Sequence, residues 1–309
     1  MAPSKEAGLL VDMFKKLAAT MPEEPFMQRS LYDNLQNLAT EASGVTYEDV
    51  TLPNTGKQYR GPAKWAKPKD ASTEHALLFM HGGGYSFGSL NSHRKMAGHF
   101  ARACNAPALM VDYRMTPEHA YPAAIDDCVS AYRYLLDQGI KAGNVVVIGD
   151  SCGGGLATTV PLKAMREGLP RPGLSVALSP WTDATAATSK SLTTNAENDA
   201  LSGPDSLAML RSRYVADGAK ADDPLISPVF VDEHEAKNLP PHWISAAGYD
   251  VLLDDARRMA EKLEAAGVEV VLKEHEGMQH VFEFLAGTAP EATQSVREIG
   301  DWVKGKLGS

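Results

Sequence analysis

A serine set among glycines is the first group in this sequence that could do covalent chemistry. The run Gly149-Asp150-Ser151-Cys152-Gly153-Gly154 follows an aliphatic, β-branched segment at 145–148 and precedes a helical pattern. A G-x-S-x-G turn between a strand and a helix is typical of a nucleophilic serine. Gly149 and Gly153 lack the Cβ atoms that would collide across so sharp a turn. Ser151 is therefore the candidate nucleophile, and the positive end of the following helix would favour negative charge beside it.

A second glycine cluster could stabilise the charge that such a serine generates. His81-Gly82-Gly83-Gly84 directly follows an apolar run at 77–80. The carbonyl oxygen of an attacked ester becomes negative, and stabilising it is usually the largest catalytic contribution. We expect the amides of Gly83, Gly84 and Cys152 to form this oxyanion hole. The alternative is a flexible or phosphate-binding loop, but the Lys-Ser/Thr pair of a phosphate loop is missing.

Together the two motifs resemble those of the hormone-sensitive-lipase family of α/β-hydrolases. H-G-G-G at 81–84 and G-D-S-x-G-G at 149–154 carry the likeness, and the stretches at 112–119 (D-Y-R-M-T-P-E-H) and 179–181 (S-P-W) are similar to further family motifs. The likeness covers most of the chain from about residue 75 onward. It implies an α/β-hydrolase fold, the chain order Ser, Asp/Glu, His for the catalytic residues, and a possible homodimer.

A serine hydroxyl needs a neighbouring base, and histidine has a suitable pKa. The implied chain order leaves four histidines after Ser151, namely His234, His242, His275 and His280. His280 lies in a turn just beyond the last predicted strand, and the family's G-x-x-H-x-F pattern falls on it. His275, flanked by Glu274 and Glu276, is more typical of a surface residue. We therefore predict His280 as the base, with a loop histidine in a structural hydrogen bond as the alternative.

The acid that orients the histidine should follow the preceding predicted strand, at 243–247. Gly248-Tyr249-Asp250 supplies a carboxylate there, whereas Asp254 and Asp255 open the next helix, where acids favourably meet the helix dipole. The family's D-P-L-R-D-E motif also maps its acid onto Asp250, although its proline and arginine are missing here. Asp250 would hold the imidazole in the correct tautomer, and this chemistry requires no metal or organic cofactor.

Cys152 departs from the family pattern, which usually has alanine after the nucleophile. We expect bulky modification of its thiol to block the oxyanion hole, the alternative being a buried, inert thiol. Apolar side chains that flank the motifs could line a substrate pocket, although core packing is an equal alternative for each. They are Tyr85, Phe87, Trp181, Val251, Leu252, Val281 and Phe282.

The elements that must position these residues alternate between strands and helices. The sequence locates strands at 47–52, 76–80, 108–112, 145–149, 175–178, 243–247 and 268–275, and helical patterns lie between several of them. Continuous apolar strands indicate a sheet covered on both faces, and the alternation favours parallel strands with right-handed crossovers. We predict a single α/β-hydrolase domain over 1–309 with a mostly parallel, eight-stranded sheet. A helical cap would come from about 1–44 and from an insertion at about 183–225.

The composition limits the classes of molecule that the protein can bind. Its net charge of -9 argues against nucleic acid and anionic membranes as partners. Three scattered cysteines and an N-terminus without a signal peptide favour a cytoplasmic, soluble protein. We predict hydrolysis of small-molecule esters with short to medium chains, without stable membrane association. The alternatives are a lactonase or amidase with the same triad and, in another class, a non-catalytic small-molecule receptor on the same fold.

Overall fold

A twisted sheet forms the centre of the computed structural model, which describes residues 3–22, 24–52, 61–186, 189–215 and 218–308. Within these residues eight strands pair in the order β1-β2-β4-β3-β5-β6-β7-β8. Strands β1 and β2 and strands β2 and β4 are antiparallel, and all other pairs are parallel. The predicted mostly parallel α/β-hydrolase sheet is thus confirmed. The strands are β1 (Val45–Thr51), β2 (Pro62–Pro68), β3 (Ala76–Met80), β4 (Ala108–Val111), β5 (Val145–Asp150), β6 (Leu174–Leu178), β7 (His242–Ala247) and β8 (Val270–His275).

Every residue of β3 to β7 is buried, as their continuous apolar sequences predicted. The strand that the sequence did not locate is β2. It is bounded by Pro62 and Pro68, and its fully buried residues are Ala63 and Ala66. Small alanines beside lysines give little of the apolar alternation by which a strand is recognised.

Helices cover both faces of this sheet. The crossover from β3 to β4 and the crossover from β4 to β5 run in opposite directions, so right-handed connections place α3 and α4 on opposite faces. Helix α3 packs against α10, and α4 packs against α5. The helices are α1 (Gly8–Thr20), α2 (Pro25–Tyr32), α3 (Leu90–Ala103), α4 (Ala123–Asp137), α5 (Cys152–Arg166), α6 (Ser191–Thr194), α7 (Pro204–Tyr214), α8 (Glu233–Ala236), α9 (Leu253–Ala265) and α10 (Pro290–Leu307).

The segments predicted as a cap contain α1, α2, α6 and α7 and no strand before β1 or between β6 and β7 in the described residues. Residues 1, 2, 23, 187, 188, 216 and 217 of these segments lie outside that description. Ser4 ties the N-terminal segment to α10, because its amide and hydroxyl both donate to the Glu291 carboxylate. Among the helices in the described part of the chain, none combines the length and apolar character needed to cross a bilayer.

Candidate active site

Ser151 occupies the turn between β5 and α5 in a strained backbone conformation, with φ 55° and ψ −120°. A Cβ atom at Gly149 would lie 2.4 Å from the carbonyl oxygen of Met80 on β3, and one at Gly153 would lie 2.0 Å from it. Only glycine fits at these two positions, which confirms the steric role predicted for them. The carbonyl of Ser151 also accepts a hydrogen bond from the amide of Trp181 at 2.9 Å. The turn is therefore held between its neighbouring strands.

An imidazole and a carboxylate meet at the carboxyl ends of β8 and β7. His280 Nδ1 lies 2.7 Å from Asp250 Oδ2, and both side chains are buried. A carboxylate only accepts hydrogen bonds, so in the neutral ring Nδ1 carries the proton and Nε2 is the acceptor. The amide of Leu252 donates to Asp250 Oδ1 at 2.8 Å, and the amide of Val281 donates to Ser179 Oγ at 3.1 Å. The loop that contains Asp250 and the loop that contains His280 are thus each held by a backbone amide hydrogen bond close to these two residues.

Ser151 and His280 line the same cavity, which has a volume of about 250 Å³. No hydrogen bond joins the Ser151 hydroxyl to the His280 ring within the described structure. Catalytic hydrogen bonds are often long in enzymes without substrate and shorten when substrate binds. The cavity therefore gives a reacting group access to both side chains.

The electrostatics around His280 favour its charged form. Burial by itself lowers the pKa of His280, but the carboxylates of Asp250, Asp199 and Asp150 outweigh burial and raise the pKa to about 9. The Asp250 carboxylate makes the largest of these contributions, by charge and by the hydrogen bond. An imidazolium that forms during proton transfer would consequently be stabilised.

The other three candidate histidines lie elsewhere. His275 is half-buried and packs against Phe282, with ring centroids 4.7 Å apart. His242 is buried on β7 and its Nδ1 lies 2.6 Å from the carbonyl oxygen of Pro240. His234 lies in α8 on a surface pocket that shares no residue with the cavity beside Ser151. None of them lines the cavity that Ser151 and His280 share.

The glycine loop after β3 adopts a conformation that suits glycine. Gly83 and Gly84 have φ values of 111° and 58°, in the left-handed region where a Cβ atom is disfavoured. A Cβ atom on Gly83 would lie 2.4 Å from the carbonyl oxygen of Phe87, and one on Gly84 would lie 2.4 Å from a Leu210 methyl group. Both glycines line the cavity beside Ser151. Two of the three predicted oxyanion-hole residues are therefore part of the cavity wall.

Asp150 links this loop to the serine turn. The amide of Gly82 donates to Asp150 Oδ1 at 3.0 Å, and His93 Nε2 lies 3.3 Å from Asp150 Oδ2. The third predicted donor, Cys152, is the first residue of α5, so its amide has no partner within the helix. The loop and the helix start are thus fixed relative to each other through a buried carboxylate.

The thiol of Cys152 is buried, contrary to the expectation that thiol reagents would reach it. Its Sγ accepts a hydrogen bond from the amide of Tyr85 at 3.2 Å, and its surface is 0% exposed. Burial raises the pKa of Cys152 to about 12, and the thiolate is the reactive form of cysteine. The structure therefore favours the alternative of an inert thiol.

The cavity wall is mainly apolar, and much of it comes from the two predicted cap segments. Of the predicted pocket residues, Phe87, Trp181 and Leu252 line it. Tyr32 contributes a buried phenol that stacks against Phe87, with centroids 5.7 Å apart. The residues that sequence reasoning missed are Ala18, Met21, Gln28, Tyr32, Leu201, Ser202, Ser206, Leu207, Met209 and Leu210. Helical spacing of Gln28 with Tyr32 and of Leu207 with Leu210 was the only available signal for them.

The other four predicted pocket residues do not line this cavity, and for three of them the structure favours the core-packing alternative. Tyr85 is buried in the core and stacks on Tyr214, with ring centroids 3.5 Å apart. Val281 is buried, and Phe282 packs against His275 beneath the N-terminal segment. Val251 borders a smaller cavity of about 60 Å³ that shares Trp181, Leu207 and Leu252 with the larger one. For Tyr85, Val281 and Phe282, other parts of the chain cover side chains that sequence adjacency alone placed at the site.

Comparison with known proteins supports this picture. Residues 77–284 match a family model described as the alpha/beta hydrolase fold. An esterase of Acinetobacter venetianus is 36% identical over 232 residues, which is 75% of each chain. An acetyl-hydrolase of Streptomyces hygroscopicus is 36% identical over 249 residues, or 80% of each chain. The crystal structure of an esterase from the bacterial hormone-sensitive lipase family superposes with a TM-score of 0.91 at 33% identity, over 99% of this chain and 100% of that one.

Proposed function

We propose that Ser151, His280 and Asp250 are the catalytic triad of this chain, which belongs to the hormone-sensitive-lipase family of α/β-hydrolases and is a carboxylic ester hydrolase. The observation that carries the proposal is the opening of Ser151 and His280 onto one cavity, with the Asp250 carboxylate 2.7 Å behind the ring. In this arrangement Nε2 of His280 is the nitrogen available to the serine.

The first half-reaction forms an acyl-enzyme. Ser151 Oγ attacks the ester carbonyl carbon while His280 Nε2 takes the hydroxyl proton. The amides of Gly83, Gly84 and Cys152 donate to the negative oxygen of the tetrahedral intermediate. When the intermediate collapses, the bond to the alcohol oxygen breaks and the imidazolium returns the proton to the leaving alcohol.

The second half-reaction releases the acid. Water attacks the acyl carbon and gives a proton to His280 Nε2, which produces a second tetrahedral intermediate at the same amides. Collapse breaks the bond to Ser151 Oγ, which takes the proton back from the imidazolium. The products are a carboxylic acid and an alcohol, and the enzyme is restored.

Covalent labelling tests the identity of the nucleophile. Paraoxon is expected to transfer one diethylphosphoryl group to Ser151 Oγ with stoichiometric release of p-nitrophenolate, because the oxyanion hole also stabilises a phosphoryl oxygen. Tandem mass spectrometry of the peptide that contains Ser151 and Cys152 locates the label. A label on another residue, or equal labelling of Ser151→Ala, would contradict the assignment.

We also propose that segments 1–44 and 183–225 form a cap that limits the length of the substrate's acyl or alcohol chain. Residues from both segments line the cavity, and Trp181, Leu207 and Leu252 separate it from the smaller one. A volume of about 250 Å³ is small for an enzyme pocket. These features support short- to medium-chain esters as substrates. The similarity to an acetyl-hydrolase agrees with this preference.

Leu207→Ala is expected to extend the accepted chain, because Leu207 on α7 borders both cavities. Room for two more methylene groups, at about 0.8 kcal/mol each, corresponds to about a 15-fold gain in kcat/KM for hexanoate relative to butyrate. The measurement compares p-nitrophenyl esters of increasing acyl length and alkyl acetates of increasing alcohol length. Leu9→Ala, at an exposed position on α1, is the control. If a folded Leu207→Ala protein kept the parent's ratio of kcat/KM for long to short esters in both series, the proposal that Leu207 separates the two cavities would be refuted.

A cytoplasmic location is a further proposal. Cys104, Cys128 and Cys152 are unpaired and buried, which is typical of proteins from reducing compartments. A homodimer, small-molecule esters as the partners, and the absence of nucleic-acid or stable membrane association likewise stay predictions.

A further inference from the structure

A short piece of the insertion is hydrogen-bonded to both loops that carry the proposed acid and base. This piece, residues 195–202, is called the clamp segment below. It lies between α6 and α7, and no motif in the sequence distinguishes it. Its bonds reach the loop after β7, which contains Asp250, and the loop after β8, which contains His280.

Two side chains of the clamp segment hold the acid loop. Asn195 Nδ2 donates to the carbonyl oxygens of Gly248 and Asp250, at 3.1 and 2.8 Å. Asp199 Oδ2 accepts from the amide of Val251 at 3.0 Å. The backbone on both sides of the Asp250 side chain is therefore fixed by groups from the insertion.

One side chain of the base loop reaches back to the clamp segment. Gln279, the residue before His280, accepts from the amide of Ala200 at 2.9 Å through Oε1 and donates to the carbonyl oxygen of Asn198 at 2.8 Å through Nε2. The acid loop and the base loop are thus bridged by the same eight residues of chain.

Asp199 lies at the centre of this bridge. Its second oxygen, Oδ1, accepts from the amides of Leu201 and Ser202, both at 2.9 Å, and these two residues line the cavity. The side chain is buried, at 9% exposure. Burial and the neighbouring Asp250 raise the pKa of Asp199, and His280 lowers it. Its charge therefore interacts with both members of the acid–base pair.

We propose that Asp199 is a positioning residue, which aligns the Asp250–His280 pair with the cavity wall and supplies a second negative charge beside the imidazole. This inference rests on the proposed triad, because it assigns Asp199 no contact with substrate. It makes the insertion part of the acid–base machinery as well as a wall of the substrate cavity. Movement of the clamp segment would disturb Asp250, His280 and the wall together.

Asp199→Asn tests both parts of the proposal. We expect kcat to fall roughly 10- to 100-fold while KM changes less than about 3-fold, because alignment is lost for the chemical step. The acid limb of the kcat/KM profile reports the base of the free enzyme. It should move to lower pH by roughly 0.5 to 1 unit, because a neighbouring negative charge is removed while Asp250 and Asp150 remain.

Glu197→Gln is the matched control, since it removes the same charge from an exposed position in the clamp segment. We expect its kcat and its acid limb to match those of the parent enzyme, because exposed charges are screened. An Asp199→Asn protein with the same acid limb as Glu197→Gln would overturn the proposal. A change confined to KM would do so too, because it would mean that Asp199 shapes only the cavity wall.

Asn195→Ala and Gln279→Ala keep the test decisive if Asp199→Asn does not fold. Neither residue lines the cavity, and neither substitution removes a charge. We expect kcat to fall several-fold in each with the acid limb unmoved. Parent values of kcat in both folded variants would refute the clamp, while loss of activity in Ser151→Ala would still support the proposed function.

Discussion

Replacement of Ser151 by alanine is expected to lower kcat by about 10⁵- to 10⁶-fold on p-nitrophenyl butyrate, with little change in fold. The substitution removes the atom that attacks the carbonyl, and in a comparable serine enzyme loss of the nucleophile alone costs as much as loss of the whole triad. The backbone contacts of the turn stay in place, since the amide of residue 151 bonds to Leu178 O and its carbonyl accepts from Trp181 N. Rates are compared for protein purified from a host strain free of its own esterases.

A serine-to-alanine change elsewhere controls for general effects. Ser130 lies on α4, and its hydroxyl bonds to the carbonyl oxygen of Asp126, so Ser130→Ala should keep the parent kcat. Circular dichroism of both variants checks the fold. A well-folded Ser151→Ala protein that retains more than about 1% of the parent kcat would exclude Ser151 as the nucleophile.

The serine turn was predictable because part of its constraint is local. A Cβ atom at position 149 would lie 2.4 Å from the carbonyl oxygen of Gly153 in the same turn, so this turn requires glycine whatever packs around it. The carboxyl ends of parallel strands share one sheet edge, which is why the chain order of the motifs also predicted that positions 250 and 280 meet. These parts of the site follow from backbone geometry that the sequence records directly.

The cavity wall and the clamp segment were not predictable in the same way. Whether Gln28 or Leu207 faces the cavity depends on how α2 and α7 pack over the sheet, and either helix could turn another side chain inward. Nothing near Asp199 in the sequence indicates its link to the acid loop, because its partner there, Val251, is 52 residues away. Strand β2 was missed for a related reason, since its buried residues are two small alanines and helix α3, which packs against the strand, is distant in sequence.

The second large effect is expected from Asp250→Asn, which should lower kcat by about 10⁴-fold. In the parent, Asp250 Oδ2 accepts the Nδ1 proton of His280 and Oδ1 accepts the amide proton of Leu252. An asparagine has only one oxygen for these two donors. If that oxygen faces Leu252, the amide nitrogen donates to Nδ1 and forces the ring proton onto Nε2, where it blocks acceptance of the serine proton.

The pH dependence of Asp250→Asn separates this explanation from simple unfolding. His280 must be neutral to act as a base, and its raised pKa of about 9 predicts that kcat/KM of the parent rises with pH through that region. Loss of the Asp250 charge lets burial dominate, so the acid limb of the variant should lie at lower pH than that of the parent. Asp205→Asn removes a charge from an exposed site on α7 and should leave the limb in place. If Asp250→Asn kept both the parent kcat and the parent limb, His280 would take its orientation from another group, and the buried 2.7 Å contact would have no catalytic role.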